Sequence, residues 1–109
     1  MFSIVIPTYN NLKYLELCLK SLKKNSKYNH EIIIHINEGI DGTKNYLKNK
    51  DYKVTYTNKN EGVCVAFNIA AKQATKKYLV LAHDDMYFCP KWDVVFFKEL
   101  QNLPDNYDF

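Results

Sequence analysis

The hydrophobic residues of this 109-residue chain form four short runs, separated by longer stretches in which apolar residues recur with a helical period. The short runs cover residues 2–6, 31–36, 52–57 and 78–82 and predict β-strands. Apolar residues three or four positions apart predict helices over residues 12–25, 43–50, 63–74 and 90–103. The apolar face predicted for the last helix contains Trp92, Val95, Phe96, Leu100 and Leu103.

Strands and helices that alternate along a chain are typical of a parallel sheet with helices on both faces. We therefore predict an α/β fold, a Rossmann-like three-layer domain, with the strand order 3-2-1-4. Ligands of such sheets bind outside the carboxyl ends of the strands. The loop after the first strand, Glu38 after the second, and Asp84 with Asp85 after the fourth would then line one crevice.

The most informative candidate is the pair Asp84 and Asp85, which follows the fourth apolar run directly. Two adjacent carboxylates repel each other unless they share a cation, and their hard oxygen atoms suit Mg²⁺ or Mn²⁺. Such an ion keeps waters and phosphate oxygens as further ligands, so the pair indicates a metal–diphosphate site. The alternative is a structural Asp-Asp turn that caps the next segment.

The composition is that of one globular domain, with 47% hydrophobic and 25% charged residues. A net charge of +3 is too small to indicate nucleic-acid binding. The three cysteines are far apart and favour a reducing, cytoplasmic compartment. No signal peptide or membrane span is predicted, and peripheral association with the inner membrane face stays open.

Four blocks of sequence together resemble the nucleotide-sugar-binding half of family 2 glycosyltransferases, which have the GT-A fold. The blocks are residues 3–10 (SIVIPTYN), 37–43 (NEGIDGT), 60–62 with 66–68 (NEG and AFN), and 81–85 (LAHDD). They occur in the family's order and spacing and extend over nearly the whole chain. The second block is similar to the family's acidic Gly-rich turn, and the fourth is similar to its Asp-x-Asp metal motif.

The resemblance implies an enzyme that transfers a sugar from a nucleotide-diphosphate donor, most simply a UDP-sugar, to an acceptor hydroxyl with inversion. The acceptor would belong to a glycan, a lipid or a protein, and the cofactor would be Mn²⁺ or Mg²⁺. Glu38 would accept a hydrogen bond from the base. By the same resemblance, nucleotide binding falls to Pro7, Thr8, Tyr9, Asn10, Glu38, Gly62, Asn68 and Asp84, and metal binding to Asp84 and Asp85.

The chain also departs from the family pattern. Phe67 occupies a position where the family often has Arg, Asn37 replaces the first acidic residue of the turn, and Ala82 stands at the first position of an unshifted Asp-x-Asp motif. Family enzymes continue into a second half that binds the acceptor and carries the general base. The expectation is therefore a single donor-binding domain over residues 1–109, a truncated GT-A fold whose acceptor half is absent or supplied by a second chain or domain.

This interpretation has three alternatives. A non-catalytic nucleotide-binding or partner module would keep the fold without the acceptor half. A nucleotidyltransferase usually has a Gly-rich loop with Arg and Lys after the first strand, whereas residues 7–10 (PTYN) contain neither glycine nor a cation. A response-regulator-like domain needs an acidic pair after the first strand, and none is present there.

Overall fold

The computed structural model of the protein describes residues 1–104, in which strands and helices alternate strictly. The elements are β1 (Phe2–Tyr9), α1 (Leu12–Asn25), β2 (Glu31–Asn37), α2 (Thr43–Leu47), β3 (Lys53–Thr57), α3 (Val63–Ala71), β4 (Tyr78–Leu81) and α4 (Trp92–Gln101). None of the helices in this part of the chain is both long and apolar enough to cross a membrane.

The four strands form one parallel sheet in the order β3-β2-β1-β4, which confirms the predicted topology. The two central strands consist largely of β-branched residues, which suit a sheet that is buried on both faces. Ile4 of β1 lies opposite Ile32 of β2 on one side and Val80 of β4 on the other. This register brings the carboxyl ends of β1, β2 and β4 to one edge of the sheet.

Helices cover both faces of the sheet, as predicted. Successive side chains of a strand point to opposite faces, so Ile4 and Ile34 pack with Leu15 of α1, while Val5 packs with Ala70 of α3. The small residues of α3 allow this helix to lie close to the strands. Its residues contact β1, β2 and β3, and it has no comparable contact with β4 among the described residues.

Strand β1 extends to Tyr9, three residues beyond the predicted end at Ile6. Every second residue of a parallel strand directs both its N–H and its C=O group to the same neighbouring strand. The Val5 carbonyl accepts the N–H of Ala82, the residue after β4, at 2.9 Å, so Val5 and Pro7 face the β4 side. Pro7 therefore directs its nitrogen to the β4 side, where pairing ends at Val5 and Leu81. No ladder hydrogen bond is lost there, so the proline does not end the strand.

Three helices, α2, α3 and α4, are shorter than predicted. Helix α2 ends at Leu47 because Lys48 is extended, and α3 ends at Ala71 although Ala74 still packs against the core. Helix α4 begins at Trp92, since Lys91 adopts a left-handed conformation with φ of 63°.

The apolar face of α4 also differs from the prediction. Trp92 is buried and Leu100 packs against the core, but Val95 and Phe96 are about half exposed. Phe97, which was not assigned to this face, stacks on Phe2 at a ring-centroid distance of 4.6 Å. The helix therefore leaves part of its apolar surface uncovered, next to β4.

Two carboxylates hold the amino end of the sheet. Glu31 accepts hydrogen bonds from the Ser3 hydroxyl (2.6 Å), the Lys53 ammonium (2.7 Å) and the Thr75 N–H (2.8 Å), and thereby connects three strands. Burial acts to raise the pKa of Glu31, but these hydrogen bonds outweigh it and lower the pKa to about 2. The second carboxylate, Asp93, is fully buried at the start of α4 and binds the loop between α1 and β2.

Candidate functional site

A groove of about 310 Å³ opens at the carboxyl edge of the sheet, where β1, β2 and β4 end. Its walls come from the ends of those strands and from the start of α3. The lining residues are Pro7, Thr8, Tyr9, Asn11, Asn37, Asn60, Gly62, Val63, His83 and Asp84. The groove thus lies where ligands of open parallel sheets bind.

A hydrogen bond between β1 and the loop after β4 forms the floor of the groove. Thr8 is buried, with 2% of its surface exposed, and its hydroxyl donates to Asp84 Oδ2 at 2.8 Å. This contact joins residues that are 76 positions apart in the sequence. It orients the Asp84 carboxylate while leaving its other oxygen free of protein hydrogen bonds among the described residues. The ring of Tyr9, 48% exposed, stands beside it and is accessible to a ligand.

The turn after β4 presents two carboxylates to this edge of the sheet. The Met86 N–H donates to the His83 carbonyl at 3.2 Å and closes the turn, with Asp84 half-buried and Asp85 exposed. Cys18 lies buried beneath, its Sγ 3.8 Å from the His83 carbonyl oxygen. Burial, together with the negative charges of Asp84 and Asp85, raises the pKa of this thiol to about 12.

The two aspartates fit a cation that keeps most of its ligands outside the protein. The described residues contain no cluster of three or more His, Cys, Asp or Glu side chains able to enclose a metal. Mg²⁺ and Mn²⁺ are typically bound through one or two carboxylates, with waters and phosphate oxygens as the other ligands. Asp84 and Asp85 therefore match the donor set of such a site.

Asn37 fixes the end of β2 against β3 and the loop before α3. Its Oδ1 accepts hydrogen bonds from the Thr57 hydroxyl (3.1 Å) and the Glu61 N–H (3.2 Å). A backbone N–H only donates, so the amide oxygen is the atom that faces Glu61. Asn37 lines the groove, and unlike an acidic residue it has a donor as well as an acceptor.

The loop that follows β2 is held by polar contacts with the loop that follows β1. Asn10 Oδ1 accepts the Ile40 N–H at 2.9 Å, and Asp41 Oδ2 accepts the Leu12 N–H at the start of α1 at 3.0 Å. Glu38 adopts a positive φ of 65°, and its N–H donates to the Thr57 carbonyl at 2.9 Å. A non-glycine residue in this region is uncommon and is maintained here by the surrounding hydrogen bonds.

Gly62 shapes the rim of the groove at the start of α3. Its φ of 88° and ψ of 170° belong to a region that is essentially restricted to glycine. No heavy atom lies within 4 Å of where a Cβ would be, so the requirement is for backbone conformation rather than space. The Gly62 N–H donates to Asn60 Oδ1 at 3.0 Å, and the amino end of α3 follows at once.

The structure brings together five of the residues predicted for the nucleotide: Pro7, Thr8, Tyr9, Gly62 and Asp84 line the groove. The other three lie outside its lining: Asn10 and Glu38 in the loops just described, and Asn68 exposed on α3. Asp85, predicted for the metal, lies on the adjacent turn and is also outside the lining. Five further lining residues were not assigned to the nucleotide: Asn11, Asn37, Asn60, Val63 and His83. Each of them lies within two positions of an assigned residue in the sequence, and this proximity is the signal that could have identified them.

Residues 3–108 match the family model described as glycosyl transferase family 2. An uncharacterized glycosyltransferase of Rickettsia prowazekii is 34% identical to the chain over 91 residues, which are 81% of this chain and 28% of the relative. S. aureus TarS 1–349, solved in complex with UDP, is 28% identical with a TM-score of 0.74, over 90% of this chain and 32% of TarS 1–349.

The mannosyltransferase PcManGT from Pyrobaculum calidifontis, solved with GDP-Man and Mn²⁺, shares the fold with a TM-score of 0.71 at 22% identity. That match covers 86% of this chain and 30% of the mannosyltransferase. The chain therefore spans about a third of the length of these relatives. By its family match and its sheet topology, the chain belongs to glycosyl transferase family 2, with an α/β fold of the GT-A type.

Proposed function

We propose that the groove binds a UDP-sugar together with a divalent cation, and that the domain positions this donor for inverting transfer to an acceptor hydroxyl. The observation that carries the proposal is the hydrogen bond from Thr8 to Asp84, which places a carboxylate at the groove floor beside an exposed tyrosine. The complex of UDP with TarS, a relative at 28% identity, supports the choice of nucleotide.

Each part of the donor has a chemically suitable partner at the groove. The Tyr9 ring offers an aromatic surface to the base, and the carboxylate of Glu38 can accept a hydrogen bond from the base N–H. The diphosphate faces Gly62 and the amino end of α3, where backbone N–H groups and the helix dipole favour negative charge. Asp84 and Asp85 hold Mn²⁺ or Mg²⁺, which when bound neutralises charge on the diphosphate as it leaves.

Calorimetric titration with UDP tests the proposal directly. In Mn²⁺ we expect saturable binding, because the cation offsets the repulsion between the diphosphate and the two aspartates. In EDTA, which removes the cation, we expect an affinity at least about tenfold lower. The double variant Asp84→Asn/Asp85→Asn should bind equally weakly in both buffers. Equal binding of UDP by the unmodified protein in Mn²⁺ and in EDTA would remove the metal from the proposal.

The variant Glu38→Gln should weaken binding of Mn²⁺–UDP by about 1–3 kcal/mol, because the amide replaces a charged acceptor of the base N–H. Affinity for Mn²⁺–pyrophosphate, which has no base, should be unchanged. Glu61→Gln is the matched control: it removes an exposed carboxylate from another loop at this edge, whose single ion pair among the described residues is with Lys59 at 3.8 Å. Unchanged UDP affinity in Glu38→Gln would show that the base lies elsewhere.

A nucleotide-binding module without transferase activity of its own is the second candidate function. It is favoured because inverting transfer needs a general base, and neither carboxylate of α4, Asp93 or Glu99, lines the groove. A second chain or domain would then supply the acceptor site and the general base.

A further inference from the structure

His35 is a fully buried histidine in β2, two residues before Asn37. Side chains two positions apart on a strand lie on the same face of the sheet, so the ring and the Asn37 amide are neighbours. Both ring nitrogens have a partner on β3: Nδ1 lies 2.7 Å from the Thr55 hydroxyl oxygen, and Nε2 lies 3.1 Å from that of Thr57. Burial lowers the pKa of His35, so at neutral pH the ring is uncharged and carries a single N–H.

Thr57 connects this ring with three parts of the candidate site. Its hydroxyl oxygen lies 3.1 Å from Asn37 Oδ1 and 2.9 Å from the Lys59 carbonyl oxygen. Its own carbonyl accepts the Glu38 N–H at 2.9 Å. Thr57 therefore holds the end of β2, the turn at Glu38 and the loop that leads to Gly62.

The number of hydrogen atoms available to Thr57 decides which nitrogen of His35 is protonated. The Thr57 hydroxyl has one hydrogen, and the Lys59 carbonyl can only accept it. Asn37 Oδ1, which also faces a backbone N–H, is likewise an acceptor. The hydroxyl hydrogen is therefore needed on the groove side, and His35 Nε2 must donate to the Thr57 oxygen. Nδ1 is then unprotonated and accepts from the Thr55 hydroxyl.

The opposite tautomer would disrupt these contacts. With its hydrogen on Nδ1, the His35 ring would need the Thr57 hydrogen for Nε2. The Thr57 oxygen would then face two acceptors, Asn37 Oδ1 and the Lys59 carbonyl, with no hydrogen between them. Oxygens left without a donor at such distances destabilise the contact. A donor at the position of Nε2 is therefore what links the core to the groove.

We propose that His35 is a positioning residue of the donor site, which as its Nε2–H tautomer directs the Thr57 hydroxyl toward the loop of residues 58–62. The ring lies outside the groove lining and acts through Thr57 on Asn60 and Gly62, which line the groove. The Gly62 N–H donates to Asn60 Oδ1, so the two residues are held together. The expected effect on affinity rests on the proposed binding of a UDP-sugar, whereas the tautomer and the order of the loop do not.

The tautomer is measured without a nucleotide. Long-range ¹H–¹⁵N correlation spectra at neutral pH should show a protonated Nε2 and an unprotonated Nδ1 for His35. The signals are assigned by their absence in His35→Gln, which keeps His30 and His83 as internal references. A ring protonated at Nδ1, or at both nitrogens, would overturn the inference.

The two threonines of β3 provide a matched pair of variants. Thr57→Val removes the hydroxyl on the groove side at nearly constant volume, and should weaken Mn²⁺–UDP binding at least about tenfold. Thr55→Val removes the hydroxyl at the other ring nitrogen and should change this affinity less than about threefold. Both variants leave a ring nitrogen without its partner, so a merely structural role of His35 would make them alike. Thr57→Ser keeps the hydroxyl and should recover most of the affinity.

Substitutions of the ring itself test the need for a donor. The amide of His35→Gln has an NH₂ group that can donate to Thr57, whereas His35→Leu has no donor. His35→Leu should therefore lose at least about tenfold in Mn²⁺–UDP affinity, and His35→Gln clearly less. Circular dichroism checks that both variants are folded. Equal losses in the two would contradict a role for the N–H.

The order of the loop separates this inference from the proposed function. Without nucleotide, backbone ¹⁵N order parameters of residues 58–62 should be about 0.85 in the wild type and in Thr55→Val, and below about 0.6 in Thr57→Val. If the wild type shows this pattern but binds no UDP, the proposed function fails and the positioning of the loop by Thr57 stands. Equal order parameters in the two valine variants would overturn the inference, whether or not UDP binds.

Discussion

The protein of residues 1–109 is expected to release UDP from a UDP-sugar slowly, at a rate that does not depend on added acceptors. In the proposed function the groove holds the donor, but inverting transfer also needs a base within hydrogen-bond reach of the attacking hydroxyl. Such a base typically contributes about 10²–10⁴-fold, and fixing the acceptor in place can contribute more. Without them, water is the only acceptor.

Among the described residues, the carboxylates that follow the groove in sequence are not positioned for this task. Asp93 is fully buried and receives hydrogen bonds from the N–H groups of Lys27 and Tyr28 and from His30. Glu99 lies against the apolar groove beside β4, away from Asp84. Asp105 and Asp108, the remaining acidic residues after Pro90, lie outside the described residues.

UDP release is measured with a panel of UDP-sugars, with and without glycan, lipid and peptide acceptors. Asp84→Ala/Asp85→Ala should abolish the slow release, because it removes both carboxylates that we propose to hold the cation. Asp51→Ala, an exposed aspartate in the turn before β3, is the control and should leave it unchanged. Turnover that rises at least about tenfold with an acceptor would contradict the prediction and indicate a base from Glu99, Asp105 or Asp108.

The fold follows from the sequence because its local and long-range signals agree. Ile4 and Ile34 belong to runs of β-branched residues, and the leucines of α1 recur at helical spacing, so each element and its buried face are predictable. Right-handed crossovers then leave few strand orders. The end of β1 was missed because Pro7 normally ends a strand, and only the pairing with β4 shows that its nitrogen needs no partner.

The site was predictable only in part. Motif residues such as Thr8 and Asp84 were identifiable, and the structure adds the hydrogen bond between them. Asn37 was seen only as a departure from an acidic pattern, and its amide is oriented by Thr57 and Glu61, which are 20 and 24 positions away. Such orientation depends on tertiary contacts. Likewise, helical periodicity shows that Phe96 lies near Trp92 on the surface of α4, but not how far the neighbouring elements cover that surface.

Asp93→Ala is expected to have the largest effect on stability, a loss of about 3–5 kcal/mol, because it leaves several buried donors without an acceptor. Asp93 Oδ2 accepts the Lys27 and Tyr28 N–H groups, each at 2.9 Å, and contacts His30 Nε2 at 2.8 Å. The other nitrogen of His30 accepts the Phe2 N–H at 3.0 Å, so the cluster also fixes the start of β1. A loss of this size is a large part of the 5–15 kcal/mol typical of a domain.

Urea unfolding followed by circular dichroism, at one protein concentration throughout, measures the effect. Glu99→Ala removes an exposed carboxylate from the same helix and should change the free energy of unfolding by less than about 0.5 kcal/mol. Asp93→Asn tests the geometry, because its NH₂ group would face N–H donors and cannot accept from them. It should therefore be destabilised as well, although its volume is nearly unchanged.

The pH dependence of unfolding separates the charge of Asp93 from its packing. Burial acts to raise the pKa of this carboxyl, but the hydrogen bonds from Tyr28, His30 and Lys27 outweigh it and hold the pKa below its usual value. A carboxyl with a lowered pKa stabilises the fold above its unfolded pKa, and this contribution is lost as the pH falls through the folded pKa. The difference in stability between wild type and Asp93→Asn should therefore shrink below about pH 4. A difference that stays constant from neutral pH to pH 3 would mean that packing, and not the ionised carboxylate, holds α4 against the loop before β2.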